Sequence, residues 1–359
     1  MGGDTEKTAE SIIEHGAAKL PTVIVESYNI EIRDADGFIG DRANKQAFLD
    51  ILDTARKLER EASGRDPIGK DDTDEISKKE IDQFLISGEP HAAAIVMTAI
   101  EEFAQELAGV VKRFIKAKAW RDIERIAVGG GMRQSRAGEI AIHRAGLLLH
   151  NETDIELVPI RHHPDEAGLL GVVQLAPPWV FRGHDAILAV DIGGTNIRVG
   201  VVELNQKKSP TLEKAKLWKS ILWRHADDKI KRDAAVEELA DMLKKMIVSA
   251  KKAKLELAPF IGIGCPGVIE RDGAIERGAQ NLPGDWSGKN FHLPQELRSL
   301  IPTIEGQETT ILMHNDAVVQ GLSQVAFMRD IDNWGVLTIG TGLGNARFTN
   351  RETSRPAKT

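Results

Sequence analysis

Within eight positions, Asp191-Ile-Gly-Gly-Thr-Asn-Ile-Arg198 gathers a carboxylate, two adjacent glycines, a hydroxyl and a guanidinium. The stretch rides on the apolar run Ala186–Val190, and Ile187–Val190 and Val199–Val202 predict two short strands joined by a glycine turn. Gly193 and Gly194 would let backbone N–H groups converge where any side chain would block a phosphate. Asp191, at the end of the first strand, suits a hydrated Mg²⁺. Thr195 and Arg198 add a hydroxyl and a fixed positive charge for phosphate oxygens. An ordinary hairpin also uses Asp-x-Gly-Gly, so the turn alone does not decide the chemistry.

Further along the chain the case strengthens. Phe260-Ile-Gly-Ile-Gly-Cys-Pro-Gly-Val268 reads as a buried strand whose Pro266-Gly267 must end it. Asn281-Leu-Pro-Gly-Asp-Trp286 offers an amide that both donates to and accepts from a pair of sugar hydroxyls, or else a turn with a packed Trp. In Met313-His-Asn-Asp-Ala-Val-Val-Gln320 a strand ends at Asn315-Asp316 and a helix, Ala317–Phe327, is expected to follow. Asp316 would stand at that helix's N-terminus, either as a cap or as a general base for an attacking hydroxyl. The free amides there should lower its pKa. Val336-Leu-Thr-Ile-Gly-Thr-Gly-Leu-Gly344 repeats the first element: strand, glycine-rich turn with a threonine, and a second strand near Ala346–Thr349. Two such hairpins across a cleft could grip a nucleotide's phosphates from both sides.

The elements that must position these groups alternate between strand and helix, which indicates α/β architecture. Val23–Val25 and a segment near Asn29–Ile32 read as strands, and Phe48, Ile51, Leu52, Ala55 and Leu58 mark an amphipathic helix. Ser63–Lys79 reads as a surface loop or lid, and a long helix should start at Pro90 with Val96, Ile100, Phe103, Leu107, Val110, Val111 and Phe114 inward. Ile126–Met132 is a strand entering three glycines, followed by a helix near Arg136–Leu149, a strand at Ile155–Pro159 and a short helix at Asp165–Leu175. Val236, Leu239, Leu243, Met246 and Ile247 mark one more helix.

At 359 residues with 42% hydrophobic content, two lobes around a cleft are expected. The net charge of −7 argues against a nucleic-acid surface. A single cysteine, Cys265, excludes a disulfide framework and a multi-cysteine zinc site. The polar, acidic start shows no signal peptide and the apolar tracts are too short for a membrane span, so a cytoplasmic protein is expected.

Taken together, these motifs resemble the sugar kinases of the repressor, open reading frame and kinase (ROK) family, which have the two-lobed actin-like, ribonuclease-H-like ATPase fold. Asp191–Arg198 is similar to the family's first phosphate motif, Asn315-Asp316 to its catalytic dipeptide and Gly340–Gly344 to its second phosphate motif. Gly262–Gly267 and Asn281–Trp286 are similar to the sugar-side segments between them. Motifs that follow these in the family here precede them: Gly88–Ile95, the adenosine-side glycines of Val128–Gly131, and Ala167-Gly-Leu-Leu-Gly171. The chain therefore resembles a circularly permuted member, its former ends joined through about Val173 to His184.

The polar stretch 1–20 is expected to be flexible, and the resemblance implies a large lobe from 21–160 plus 313–359 and a small lobe from 161–312. It implies ATP-dependent phosphorylation of a glucose-like hexose or an amino-sugar, with Mg²⁺, and a homodimer. Gly193, Gly194, Thr195 and Arg198 would meet terminal phosphates, and Gly340, Thr341, Gly342 and Gly344 the rest of the phosphate chain. Gly130 and Gly131 would lie against the adenosine, Asp191 would position Mg²⁺, and Asn281, Asn315 and Asp316 would bind the sugar, Asp316 as base. The family's Cys-rich zinc loop has no counterpart. Its Gly-Glu-x-Gly-His sugar clamp has only the partial match Ile13-Glu-His-Gly16, which offers Glu14 and His15 as ligands or as a surface pair. A catalytically weak sugar or nucleotide sensor of the same fold is the alternative. A DNA-binding role is disfavoured by acidic Asp71–Asp74 beside the lone Lys78-Lys79 pair, and Gln134 breaks a Gly-x-Gly-x-x-Gly dinucleotide turn.

Overall fold

The computed structural model describes residues 14–288 and 290–351. The chain begins with β1 (Val23–Tyr28), β2 (Arg33–Asp34), β3 (Gly37–Phe38), α1 (Lys45–Ser63), α2 (Lys78–Ser87) and α3 (Pro90–Lys116). There follow β4 (Arg125–Gly129), α4 (Arg136–His150), β5 (Glu156–Pro159), α5 (Pro164–Gly171), β6 (Ala186–Ile192), β7 (Ile197–Glu203) and β8 (Lys216–Trp223). Then come α6 (Arg232–Lys252), β9 (Leu257–Cys265), α7 (Leu293–Leu300), β10 (Thr303–Ile304), β11 (Gln307–Glu308), β12 (Thr310–Asn315), α8 (Asp316–Leu322), β13 (Asn333–Ile339) and β14 (Leu343–Asn350).

Local chemistry explains the boundaries. Asn44 caps α1 by accepting the Ala47 amide, and Gly64 ends it at φ 72°, a conformation glycine adopts without strain. A reciprocal Ser77–Glu80 capping box starts α2, so the expected loop closes into a helix. The residues before it wrap Arg56, whose buried guanidinium binds Asp66, Thr73 and the carbonyls of Gly69 and Asp71. The strand expected near Asn29–Ile32 does not form. Asn29 turns to φ 49°, and the Asn345 side chain takes both the amide and the carbonyl of Ile30 in place of a partner strand. The helix expected through Phe327 ends at Leu322 and gives way to a single 3₁₀ turn at Val325–Phe327.

Two five-stranded sheets share one plan. In the first, the antiparallel run β6-β7-β8 is extended from β6 by parallel β9 and β12. In the second, the antiparallel run β13-β14-β1 is extended from β13 by parallel β4 and β5. The second sheet thus takes its first two strands from near residue 340 and its third from near residue 25. Because β12 lies in the first sheet, the lobe boundary expected at 313 falls after Asn315.

Each sheet has an outer core, one under α1, α3 and α4 and the other under α6 and α7. A third core lies between the sheets and includes Leu169, Val172 and Val319 with Ala189 and Phe260 of one sheet and Val336 and Phe348 of the other. So α5 is shared by both lobes, although it was expected in the small one. It crosses α8 closely enough that a methyl group at Gly171 would lie 1.7 Å from the Val319 carbonyl oxygen. Glycine is required there for backbone-to-backbone approach. We expect Gly171→Ala to destabilise the chain by about 1–3 kcal/mol, the range for overpacked cores, read as a lower urea midpoint. An unchanged midpoint would show that the crossing yields without cost.

Candidate active site

Parallel pairing brings the carboxyl ends of β6, β9 and β12 to one edge, where the register places Asp191 beside Gly264 and Gly264 beside His314. Asp191, the Cys265-Pro-Gly turn and Asn315-Asp316 consequently share that edge, a usual location for sites in α/β sheets. Asn315 is fully buried. Its Oδ1 accepts from the amides of Ala317 and Val318, and its Nδ2 donates to the Gly267 carbonyl. Asn315, expected to bind sugar, fixes the start of α8 through Oδ1 and holds the Gly267 turn through Nδ2. It positions Asp316.

The carboxylates are the least comfortable groups at this edge. Burial, opposed by Arg198 and reinforced by Asp165, pushes Asp191 up to about 6. Burial and then the charge of Asp191 push Asp316 up to about 7, while the Ala317 amide and the Asn315 side chain pull it back only in part. The helix N-terminus was expected to lower this pKa. Desolvation outweighs the hydrogen bonds that still reach the carboxyl from the amides of Asp316 and Ala317 and from the Asn315 side chain. The same surroundings hold the buried Cys265 thiol well above its usual value, which makes it inert. A methyl group at Gly168 would lie 2.4 Å from the Asp191 carboxylate, so only glycine lets α5 approach that group.

The two glycine turns meet. Thr195 Oγ1 of the first lies 3.4 Å from Thr341 Oγ1 of the second. Gly342 borders open space, and a methyl group at Gly193 or Gly340 would meet nothing closer than ordinary contact. The first turn is clasped by buried His225, whose Nε2 donates to the Gly193 carbonyl at 2.8 Å, and by the Ala226 amide on the Thr195 carbonyl. The Lys45 amide, at the start of α1, donates to the Gly340 carbonyl. Asn281 stands beside Gly194, exposed, with its Cβ 3.2 Å from where a Gly194 methyl would be.

Several expected ligands have other duties. Gly344 lies inside its hairpin, where a methyl group would strike Thr338 Oγ1 at 2.4 Å, so it packs rather than faces a phosphate. Gly130, at φ 82°, lies against the backbone of Ile339, whereas a methyl at Gly131 would meet only the Lys78 ammonium. Arg198 is paired with Asp165, and its Nη1 lies 3.8 Å from Asp191. His15 Nδ1 accepts from the Met313 amide, and burial lowers its pKa to about 4. Glu14 pairs with Arg271 at 3.7 Å. The partners of this pair are thus Met313 and Arg271 rather than Asp316 or Asn281.

Sequence reasoning missed His225, Asp165, Gln134 and the role of Lys78. Asp165 opens the α5 segment that carries the Ala167–Gly171 motif, so proximity to that motif was its only signal. Among the described residues no group of three or more His, Cys, Asp or Glu could hold a metal by itself. A Mg²⁺ that arrives with phosphates and keeps several waters does fit, because Asp191 offers a carboxylate short of positive charge.

A model of the ROK family matches residues 187–355. The glucokinase of Thermotoga maritima is 30% identical over 166 residues, covering 46% of this chain and 44% of the relative. Among solved structures, a ROK family glucokinase from Streptomyces griseus in complex with glucose and AMPPNP aligns at a TM-score of 0.32 and 18% identity, covering 46% of each chain. A ROK family transcriptional regulator, a homologue of the E. coli MLC protein, aligns at a TM-score of 0.33 and 16% identity, covering 47% of this chain and 37% of the other. The matched stretch spans less than half the length of each of these relatives. The fold is α/β, built on two five-stranded sheets that share one strand plan. No helix among the described residues is long and apolar enough to cross a membrane.

A carboxyl whose folded pKa stands near 7 rather than the ordinary 3.8 stabilises the fold only while protonated. Its contribution is complete below the unfolded pKa and is lost as pH rises through the folded one. Asp316→Asn should therefore raise the urea midpoint above wild type at about pH 8, with the gain fading towards about pH 4. A midpoint change that is the same at both pH values would contradict the raised pKa.

Proposed function

We propose that this chain is an ATP-dependent sugar kinase that phosphorylates a hydroxyl of a glucose-like hexose. The observation that carries the reading is the meeting of Thr195 and Thr341 from two glycine turns, above an edge that holds Asp191 and Asp316. The ROK match over residues 187–355 and the partial glucokinase similarity support the same class. Glucose itself is favoured only by that similarity.

In this mechanism, amides and hydroxyls of the two turns hold the donor's phosphates from opposite sides. Asn281 orients the sugar, and Asp316 accepts the proton from the attacking hydroxyl. That oxygen forms a bond to the terminal phosphorus as the bond to the bridging oxygen of ADP breaks. A pKa near 7 suits a base that must be ionised at neutral pH yet still bind a proton usefully. Mg²⁺, held through water by Asp191, would neutralise charge developing on the phosphates. Closure of the cleft would exclude water as a competing nucleophile.

The strand order of the second sheet supports a circularly permuted arrangement of this family's fold, with the adenosine-side elements placed ahead of the first phosphate motif. A sensor without useful turnover is the second reading. What favours it is the commitment of Glu14 and His15 to Arg271 and Met313, which leaves the family's sugar clamp without a counterpart among the described residues.

The deciding experiment measures ADP release from Mg·ATP against a panel of hexoses and amino-sugars. Strong stimulation by one sugar is expected; nucleotide and sugar binding without stimulation would favour the sensor. Asp316→Asn should retain nucleotide binding and lose turnover by about 10²-fold or more, the usual scale for a general base. Wild-type kcat/KM for the sugar should fall as pH drops below about 7, because protonated Asp316 cannot accept a proton. A flat profile from pH 8 to about pH 5 would remove Asp316 from that role.

A further inference from the structure

Lys78 opens α2, and its side chain ends at the glycines after β4, where Nζ donates to the Gly131 carbonyl at 2.6 Å and to Gln134 Oε1 at 3.2 Å. Both acceptors are neutral, and Lys78 takes part in none of the ion pairs found among the described residues. Its charged neighbours at longer range include two cations, Lys45 and Arg198, and two carboxylates, Asp165 and Asp82. Asp165 is already bound by Arg198 and by Gln134 Nε2 at 2.8 Å. The oxygens of Asp82 accept the amides of Arg136 and Ala137 at the start of α4. Partial burial and the nearby cations therefore leave this ammonium short of negative charge, and its pKa is lowered accordingly.

The position is built rather than incidental. A capping box fixes the first turn of α2, and Asp82 docks the same helix on α4, so Lys78 projects from a doubly anchored element. Its ammonium touches Gly131, and Gly130 touches Ile339, the last residue before the Gly340–Gly342 turn. Lys45 reaches the same turn from the start of α1. A continuous polar path runs from Lys78 through Gln134 and Asp165 to Arg198 in the first phosphate hairpin. An anion at the second turn would thus find two cations, Lys78 and Arg198, linked through one polar network.

We propose that Lys78 is a ligand for the phosphate chain of the donor, exchanging the amide oxygen of Gln134 for a phosphate oxygen when the nucleotide binds. The exchange replaces a neutral acceptor with a charged one, and charge-assisted hydrogen bonds are roughly twice as strong. The residue would thereby favour phosphorylated nucleosides over nucleosides. This inference rests on the phosphate-donor reading of the cleft.

Calorimetric titration of wild type, Lys78→Met and Lys78→Arg with Mg·ADP and separately with adenosine tests it. Lys78→Met should weaken Mg·ADP by about tenfold or more yet leave adenosine within about twofold, and Lys78→Arg should recover most of the loss. Equal weakening of both ligands would mean that Lys78 only shapes the Gly131–Gln134 turn, and it would overturn the assignment. Unchanged Mg·ADP binding in Lys78→Met would overturn it as well while leaving the kinase reading intact. A wild-type chain that binds neither ligand would overturn the donor reading and this inference together.

Discussion

Everything in this cleft depends on how closely two short helices approach. At Gly171, α5 presses against the carbonyl of Val319 in α8; at Gly168 it presses against the carboxylate of Asp191. Larger residues at these points would part the sheets that α5 and α8 hold between them. The same pair of helices also delivers chemistry, since α8 begins at Asp316 and the first turn of α5 holds Asp165. Packing and the electrostatics of this edge are thus not separable. A displacement of α5 would change the distance between the sheets and, with it, the charge around Asp191.

That arrangement has an electrostatic consequence. Two carboxylates desolvated near each other are each held above the ordinary range, and Arg198 offsets only part of the strain. A site tuned this way is poised for an incoming cation or proton. Asn315 fixes the first turn of α8 through the Ala317 and Val318 amides, and its side chain and the Ala317 amide offset only part of the desolvation of Asp316.

Much of this was legible from residue order. The glycine turns, the Asn-Asp junction and the apolar runs around them mark strands and helices that the structure contains, because buried β-branched runs and interrupting glycines leave few alternatives. β8 was not legible: Lys216–Trp223 mixes exposed Lys and Ser with half-buried Trp and Ile on an edge strand, with no clean alternation to reveal it. Nor was the absence of the strand expected near Asn29–Ile32, because it is a distant Asn345 that takes the hydrogen bonds of Ile30. The pKa of Asp316 was read with the wrong sign, since helix position is local information whereas desolvation depends on every element packed around the site. Long-range polar partners such as His225 with Gly193, or Gln134 with Asp165, leave no periodic trace in sequence.

The strand order also fixes a sequence of events during folding. The first sheet draws on a continuous stretch, residues 186–315, and can pair as soon as that stretch exists. The second cannot, because Val23 pairs with Asn350 and Val25 with Phe348. Until β13 and β14 have been made, β1 and β4 lack the strands that join them, and their edges stay open to wrong partners. Closing so long a loop is entropically slow. The half of the molecule that carries the second glycine turn is therefore the last to assemble, and the nascent chain must protect unpaired strand edges over most of its synthesis.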